Sequence, residues 1–64
     1  MSKLEQYLTT NKVNFDQFYL HTIKPNFGWN KVRFSQVLHG FIKLMPAEAL
    51  RLSELMLCDV DEIY

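Results

Sequence analysis

Lys31, Val32, Arg33, Ser35 and Gln36 are the side chains in this chain whose types and spacing can act on another molecule. They lie in the stretch WNKVRFSQVLHG, residues 29–40, where apolar residues recur at helical intervals and polar ones gather on the opposite side. The chemistry on offer is recognition. Gln36 can make a bidentate contact to adenine, and Val32 can touch a thymine methyl. Lys31 and Arg33 occupy the first turn of such a helix, the end that enters a major groove when two helices joined by a turn dock on DNA. The same residues also suit the solvated side of an ordinary amphipathic helix. The pattern alone leaves both readings open.

Other chemistry finds little support. His21 and His39 are eighteen residues apart, and neither has a carboxylate or cysteine at metal-ligand spacing. Cys58 is the single cysteine and has no basic neighbour to generate a thiolate. Among Met56, Leu57 and Val60 it reads as core packing. There is no glycine-rich phosphate loop, and the acidic pairs near the end serve helix starts. The expectation is no enzyme, no catalytic or metal-binding residue, no cofactor and no small-molecule substrate.

Size points the same way. The 64 residues make one domain, 1–64. A chain this short buries only about 60% of its unfolded surface. It rarely gains more than roughly 3–5 kcal/mol of net stability without a disulfide or metal. A binding module fits that allowance better than an enzyme cleft. The start MSKLEQYL turns polar at once, unlike a signal peptide, and no apolar run approaches the roughly 20 residues that cross a bilayer. With one cysteine, this predicts a cytoplasmic protein with no membrane partner.

The formal net charge is zero, yet the charges are segregated. No acidic residue lies between Asp16 and Glu48, an interval that carries Lys24, Lys31, Arg33 and Lys43. From Glu48 onward, Glu48, Glu54, Asp59, Asp61 and Glu62 stand against Arg51 alone. A segregated basic segment can steer toward an anionic partner even when the totals cancel.

The elements that must position the recognition residues are all helical. SKLE is a capping box from Ser2 to Glu5, with Leu4, Tyr7 and Leu8 marking the inner face behind it. NFDQ starts a second helix on Asn14, with Val13 and Phe18 as a hydrophobic staple. Asn30 caps a third helix with Trp29 and Phe34 as its staple, and Phe34, Val37, Leu38 and Phe41 form one buried stripe. Gly40 is a left-handed stop. Pro46 opens a fourth helix whose inner face is Ala49, Leu52, Leu55 and Met56. DVDE, Asp59 to Glu62, is a third capping box, with Cys58 and Ile63 around it. The segment from His21 to Asn30 reads as irregular, because Pro25 disfavours helix at Lys24 and Gly28 permits unusual backbone angles. The expected fold is all-α, a compact bundle of four to five short helices.

The pattern FSQVLHG…MPAEALRLSELMLCDVDEIY resembles the lambda-repressor/Cro-like (XRE-type) helix-turn-helix domains. In that family a recognition helix ends in a residue–Gly pair, a proline-marked helix follows, and the chain closes on a segment like Met56 to Tyr64. The resemblance covers nearly the whole chain, with an extended turn between helices 2 and 3, about five residues longer than the family's usual one. It implies double-stranded DNA as partner. Carried over by position, the base-reading face is Lys31, Val32, Ser35 and Gln36 with Arg33 beside them, and phosphate contacts come from Asn14, Gln17 and Lys43. The implied function is a sequence-specific DNA-binding protein, a small prokaryotic or phage-type transcription regulator with helix 3, about 31–39, in the major groove. So few basic contacts imply weak monomer binding, hence a homodimer on a two-fold site or a protein partner. The competing expectation is a protein-interaction module on the same fold, a toxin-neutralising partner included. Its anchors would be the aromatic turn Phe27/Trp29 and the loop Phe41/Ile42.

Overall fold

The computed structural model of the chain describes residues 2–64. Helix α1 spans Lys3–Thr10 and begins as its cap predicts, the Glu5 N–H donating to Ser2 Oγ at 3.1 Å. The reciprocal half of that capping box is absent. The Glu5 carboxylate instead meets His39 Nδ1 at 3.3 Å.

Helix α2 runs without interruption over residues 15–27, which corrects the irregular segment expected from Pro25. Asn14 caps it through the Gln17 N–H at 3.0 Å. Two α-helical turns, Phe15–Phe18 and Lys24–Phe27, flank a wide π turn at Tyr19–Ile23, which closes with the Lys24 N–H on the Tyr19 carbonyl. A proline inside an α-helix lacks a donor and its ring clashes with the carbonyl four residues back, here that of His21. That carbonyl lies in the widened turn, which relieves the clash and lets Lys24 stay helical at φ −59°, ψ −50°. The Asn26 side-chain amide then donates to the Thr22 carbonyl at 2.8 Å.

Helix α2 stops at Gly28, whose φ of 68° is left-handed, and the chain re-enters helix at Lys31. Only Gly28, Trp29 and Asn30 therefore separate the two helices. The extended turn expected from sequence is a tight one. Helix α3 covers Lys31–Leu38, capped by Asn30 through the Arg33 N–H at 2.8 Å. Helix α4 covers Pro46–Met56, and a single 3-10 turn, Val60–Glu62, replaces a fifth helix. Among the described residues there is no strand. Nor is any helix among them long and apolar enough to cross a membrane.

All four helices end on a left-handed residue, and three of them add a second device: the N–H after that residue reaches back to the carbonyl five positions before it. At α1 the Val13 N–H reaches the Leu8 carbonyl across Lys12, φ 57°. At α3 the Phe41 N–H reaches the Gln36 carbonyl at 2.8 Å across Gly40, φ 82°. At α4 the Cys58 N–H reaches the Ser53 carbonyl across Leu57, φ 55°.

The core gathers Leu4 and Leu8 of α1, Tyr19 and Ile23 of α2, Phe34, Val37 and Leu38 of α3, Ala49 and Leu52 of α4, with Trp29, Leu44 and Ile63 from the connections. Of the expected inner residues, Tyr7 and Met56 pack half-buried against it and two are exposed. Phe41 is 79% exposed, because the left-handed Gly40 turns the chain off the α3 axis before the stripe can continue. Leu55 is exposed while Ser53 is buried, its hydroxyl donating to the Leu50 carbonyl at 2.7 Å.

Candidate nucleic-acid interface

The outward face of α3 is set by its inward one. Phe34, Val37 and Leu38 are buried, and Phe34 stacks at 5.7 Å from Tyr19 and 6.0 Å from Phe18 of α2. With 3.6 residues per turn, this rotation puts Val32, Ser35, Gln36 and His39 on the solvent side and Lys31 at its flank. Lys31, Val32, Ser35 and Gln36 are all exposed. Among the described residues, no side-chain hydrogen bond or ion pair engages Lys31, Ser35 or Gln36. Their donors and acceptors are free for a ligand. Val32, 64% exposed, offers its methyl groups on the same face.

Arg33 is held differently. Its guanidinium stacks over Trp29 at 5.0 Å, and its terminal nitrogen lies 3.6 Å from the Glu48 carboxylate. Glu48 itself is fixed, since its other oxygen accepts from the Met45 N–H at 3.1 Å and so caps α4. Arg33 thus braces α3 against the start of α4 and points along the flank of the face. Its Nε is buried without a partner. Sequence reasoning placed Arg33 among the base-reading residues but missed Glu48 as its partner. No local signal marked the pair, since Lys43 and Arg51 are both nearer to Glu48 in sequence than Arg33 is.

The turn before α3 is rigid for related reasons. Trp29 is 7% exposed and packs on Phe27 at 5.0 Å, while the Tyr19 hydroxyl donates to the Trp29 carbonyl at 2.7 Å inside the protein. Trp29 is therefore a core residue, and the aromatic turn expected as an interaction anchor is not available as one.

Asn14 and Gln17, the expected phosphate contacts, are both exposed at the start of α2. Asn14 spends its carbonyl oxygen on capping, and Gln17 Oε1 pairs with His21 Nε2 at 2.9 Å, so each retains its amide N–H groups as donors. Asp16 stands exposed between them and opposes an anion there. Lys43 is exposed on the loop after α3, at the edge of an apolar groove.

At the far side, burial pushes the Cys58 thiol above its ordinary pKa, a hydrogen bond with Tyr7 pulls it down, and the Glu62 and Asp59 carboxylates push it up further. A thiol held protonated is a poor nucleophile. Among the described residues no group of three or more His, Cys, Asp or Glu side chains is placed to hold a metal ion. No family model, curated protein or solved structure matches the chain.

Proposed function

We propose that the chain is a sequence-specific DNA-binding protein of the lambda-repressor/Cro-like kind, a transcription regulator of prokaryotic or phage type that lays α3 in the major groove. One observation carries the reading. Lys31, Val32, Ser35 and Gln36 stand together, exposed and without side-chain partners, on a helix that follows another by a three-residue turn. Groove recognition by two helices and a turn needs that combination.

In this reading the residues divide the work. Gln36 and Ser35 supply hydrogen bonds to base edges, and Val32 supplies apolar contact. Lys31 and Lys43 supply most of the phosphate neutralisation, with the Asn14 and Gln17 amides fixing the register. With Arg33 committed to Glu48, about two cations per chain remain, so the log–log dependence of affinity on salt has a slope near −2. Monomer binding is weak at physiological salt.

The test is a two-dimensional NMR titration with a mixed-sequence duplex at low and then moderate salt. Shifts concentrated on residues 31–39, on Asn14 to Gln17 and on Lys43, fading as salt rises, support the reading. No shifts at low salt, where even non-specific binding registers, remove it.

A further inference from the structure

One groove of the molecule is apolar at its floor and carries charge of a single sign. It encloses about 410 Å³ between the start of α1, the loop after α3 and the closing residues. Its floor is aliphatic: Leu4, Val37, Leu44 and Ile63 are buried core residues, and Ile42 is half-buried beside them. Two exposed lysines line it as well, Lys3 on α1 and Lys43 on the loop. Among the described residues no aspartate or glutamate lines the groove, and neither ammonium has an ion partner.

The groove is formed in advance of any ligand. Lys3 Nζ donates to the Asp61 carbonyl at 3.0 Å, which fixes that ammonium against the closing segment and leaves it further N–H donors to offer. Ser2 Oγ donates to the Leu38 carbonyl at 2.6 Å and ties the start of α1 to α3. The Phe41 and Ile42 N–H groups both reach the Gln36 carbonyl, at 2.8 and 3.2 Å, so the loop wall is fixed too. Walls held this way limit the ordering that binding would otherwise require.

Size and charge together select the occupant. Small-molecule sites enclose about 300–1,000 Å³ and are mostly apolar with a few placed polar groups. This groove lies at the low end of that range. Among the described residues there is no strand edge to pair with an extended peptide. A neutral hydrocarbon would leave both ammonium groups unused, and a bare anion would leave the apolar floor to water. A carboxylate with an aliphatic chain behind it uses both features.

We infer that the groove binds a small aliphatic carboxylate, the free form of a short- to medium-chain fatty acid. Its chain lies on Leu4, Ile42 and Ile63, and Lys3 and Lys43 hold the carboxylate. The site is separate from the outward face of α3 and stands whether or not α3 reads DNA. Lys43 is the residue it shares with the proposed phosphate contacts, so the site is tested without DNA.

The test is a two-dimensional NMR titration of the full chain with octanoate at neutral pH, set against octanol and acetate. Octanoate should shift Leu4, Ile42, Lys43, Leu44 and Ile63, with a dissociation constant below about 1 mM. Octanol keeps the chain without the charge and should bind about tenfold more weakly, as expected for two exposed ion pairs lost. Acetate keeps the charge alone and should give no saturable shifts. The double variant Lys3→Gln/Lys43→Gln should lose about tenfold toward octanoate and keep its affinity for octanol. Lys24→Gln, which removes an exposed cation of α2 outside the groove, should change neither. The spectrum of each variant reports its fold directly.

No saturable shifts with octanoate at about 10 mM overturn the inference. So does equal affinity for octanoate and octanol, a double variant that binds octanoate as the wild type does, or a loss as large in Lys24→Gln. A peptide of alternating leucine and glutamate that occupies the groove when octanoate does not would give the site to a protein partner, and that also overturns it. Octanoate in the groove with no shifts from a DNA duplex would leave this site standing and remove the DNA reading, so the two failures are distinct.

Discussion

The two ends of α3 are built on opposite principles. At its N-terminal end everything is turned inward: Trp29 is buried, its carbonyl takes the Tyr19 hydroxyl, and Arg33 lies across it toward Glu48. At its C-terminal end the helix is tied just as firmly, since Ser2 Oγ donates to the Leu38 carbonyl at 2.6 Å and Glu5 meets His39. Yet the loop that follows turns outward, exposing Phe41, Lys43 and Met45. A cation and an aromatic stand in both places. In the first they serve as a brace, and in the second they stand exposed, with only the His39 ring, 6.3 Å away, beside Phe41. Residue type cannot separate those roles. The fate of the neighbouring groups does.

The largest test of this contrast pairs the two aromatics. Trp29→Ala removes a buried side chain and should cost about 3–5 kcal/mol. That is comparable to the whole stability expected of a domain this size, so the variant should be largely unfolded at 25 °C by circular dichroism. Phe41→Ala should change stability by less than about 0.5 kcal/mol, as surface substitutions do. Similar losses from both would mean that Phe41 is packed in solution and that the two ends are alike.

A smaller effect is expected at Ser2, which acts twice. Its oxygen accepts from the Glu5 N–H at the start of α1, and its hydroxyl donates to the end of α3. Ser2→Ala removes a cap and leaves a carbonyl short of a donor, for about 1–2 kcal/mol in urea unfolding. A loss below about 0.5 kcal/mol would show that the C-terminal end of α3 is held without Ser2, by the Glu5–His39 contact, the backbone bonds to the Gln36 carbonyl and packing.

These contacts also explain what could be read from sequence. The N-caps Ser2, Asn14 and Asn30 were legible because capping is local: an oxygen three residues before a backbone N–H needs no tertiary information. The inner faces of α1 and α3 followed from spacing, because Leu4, Leu8, Phe34, Val37 and Leu38 sit one helical turn apart. Residues 19–27 were not legible. The local signal at Pro25 argues for a break, and it is overridden by a wide turn that keeps Tyr19 and Ile23 in the core. Phe41 was misplaced because periodicity continues through Gly40 on paper while the backbone does not. In the candidate interface, exposure of Lys31, Val32, Ser35 and Gln36 followed from the same spacing that buried their neighbours. The commitment of Arg33 did not, since Glu48 lies fifteen residues away and only the packing of α4 brings it near.

That commitment supplies the subtlest test. Glu48→Gln keeps an oxygen to accept from the Met45 N–H, so the cap of α4 survives, but it removes the charge that holds Arg33. The pair is partly exposed, with side-chain accessibilities of 41% and 24%, so solvent screening limits its contribution to stability to under about 1 kcal/mol. The effect on an anionic partner should be easier to see. A guanidinium released from its carboxylate becomes a further cation beside Lys31, and one more phosphate contact steepens the log–log salt slope by about 0.9. Fluorescence anisotropy on a labelled duplex across a salt series measures that slope directly. A steeper slope at nearly unchanged stability would show that the inward brace and the outward face exchange the same residue. An unchanged slope would mean that the Trp29 ring alone keeps Arg33 in place, leaving recognition to Lys31, Val32, Ser35 and Gln36.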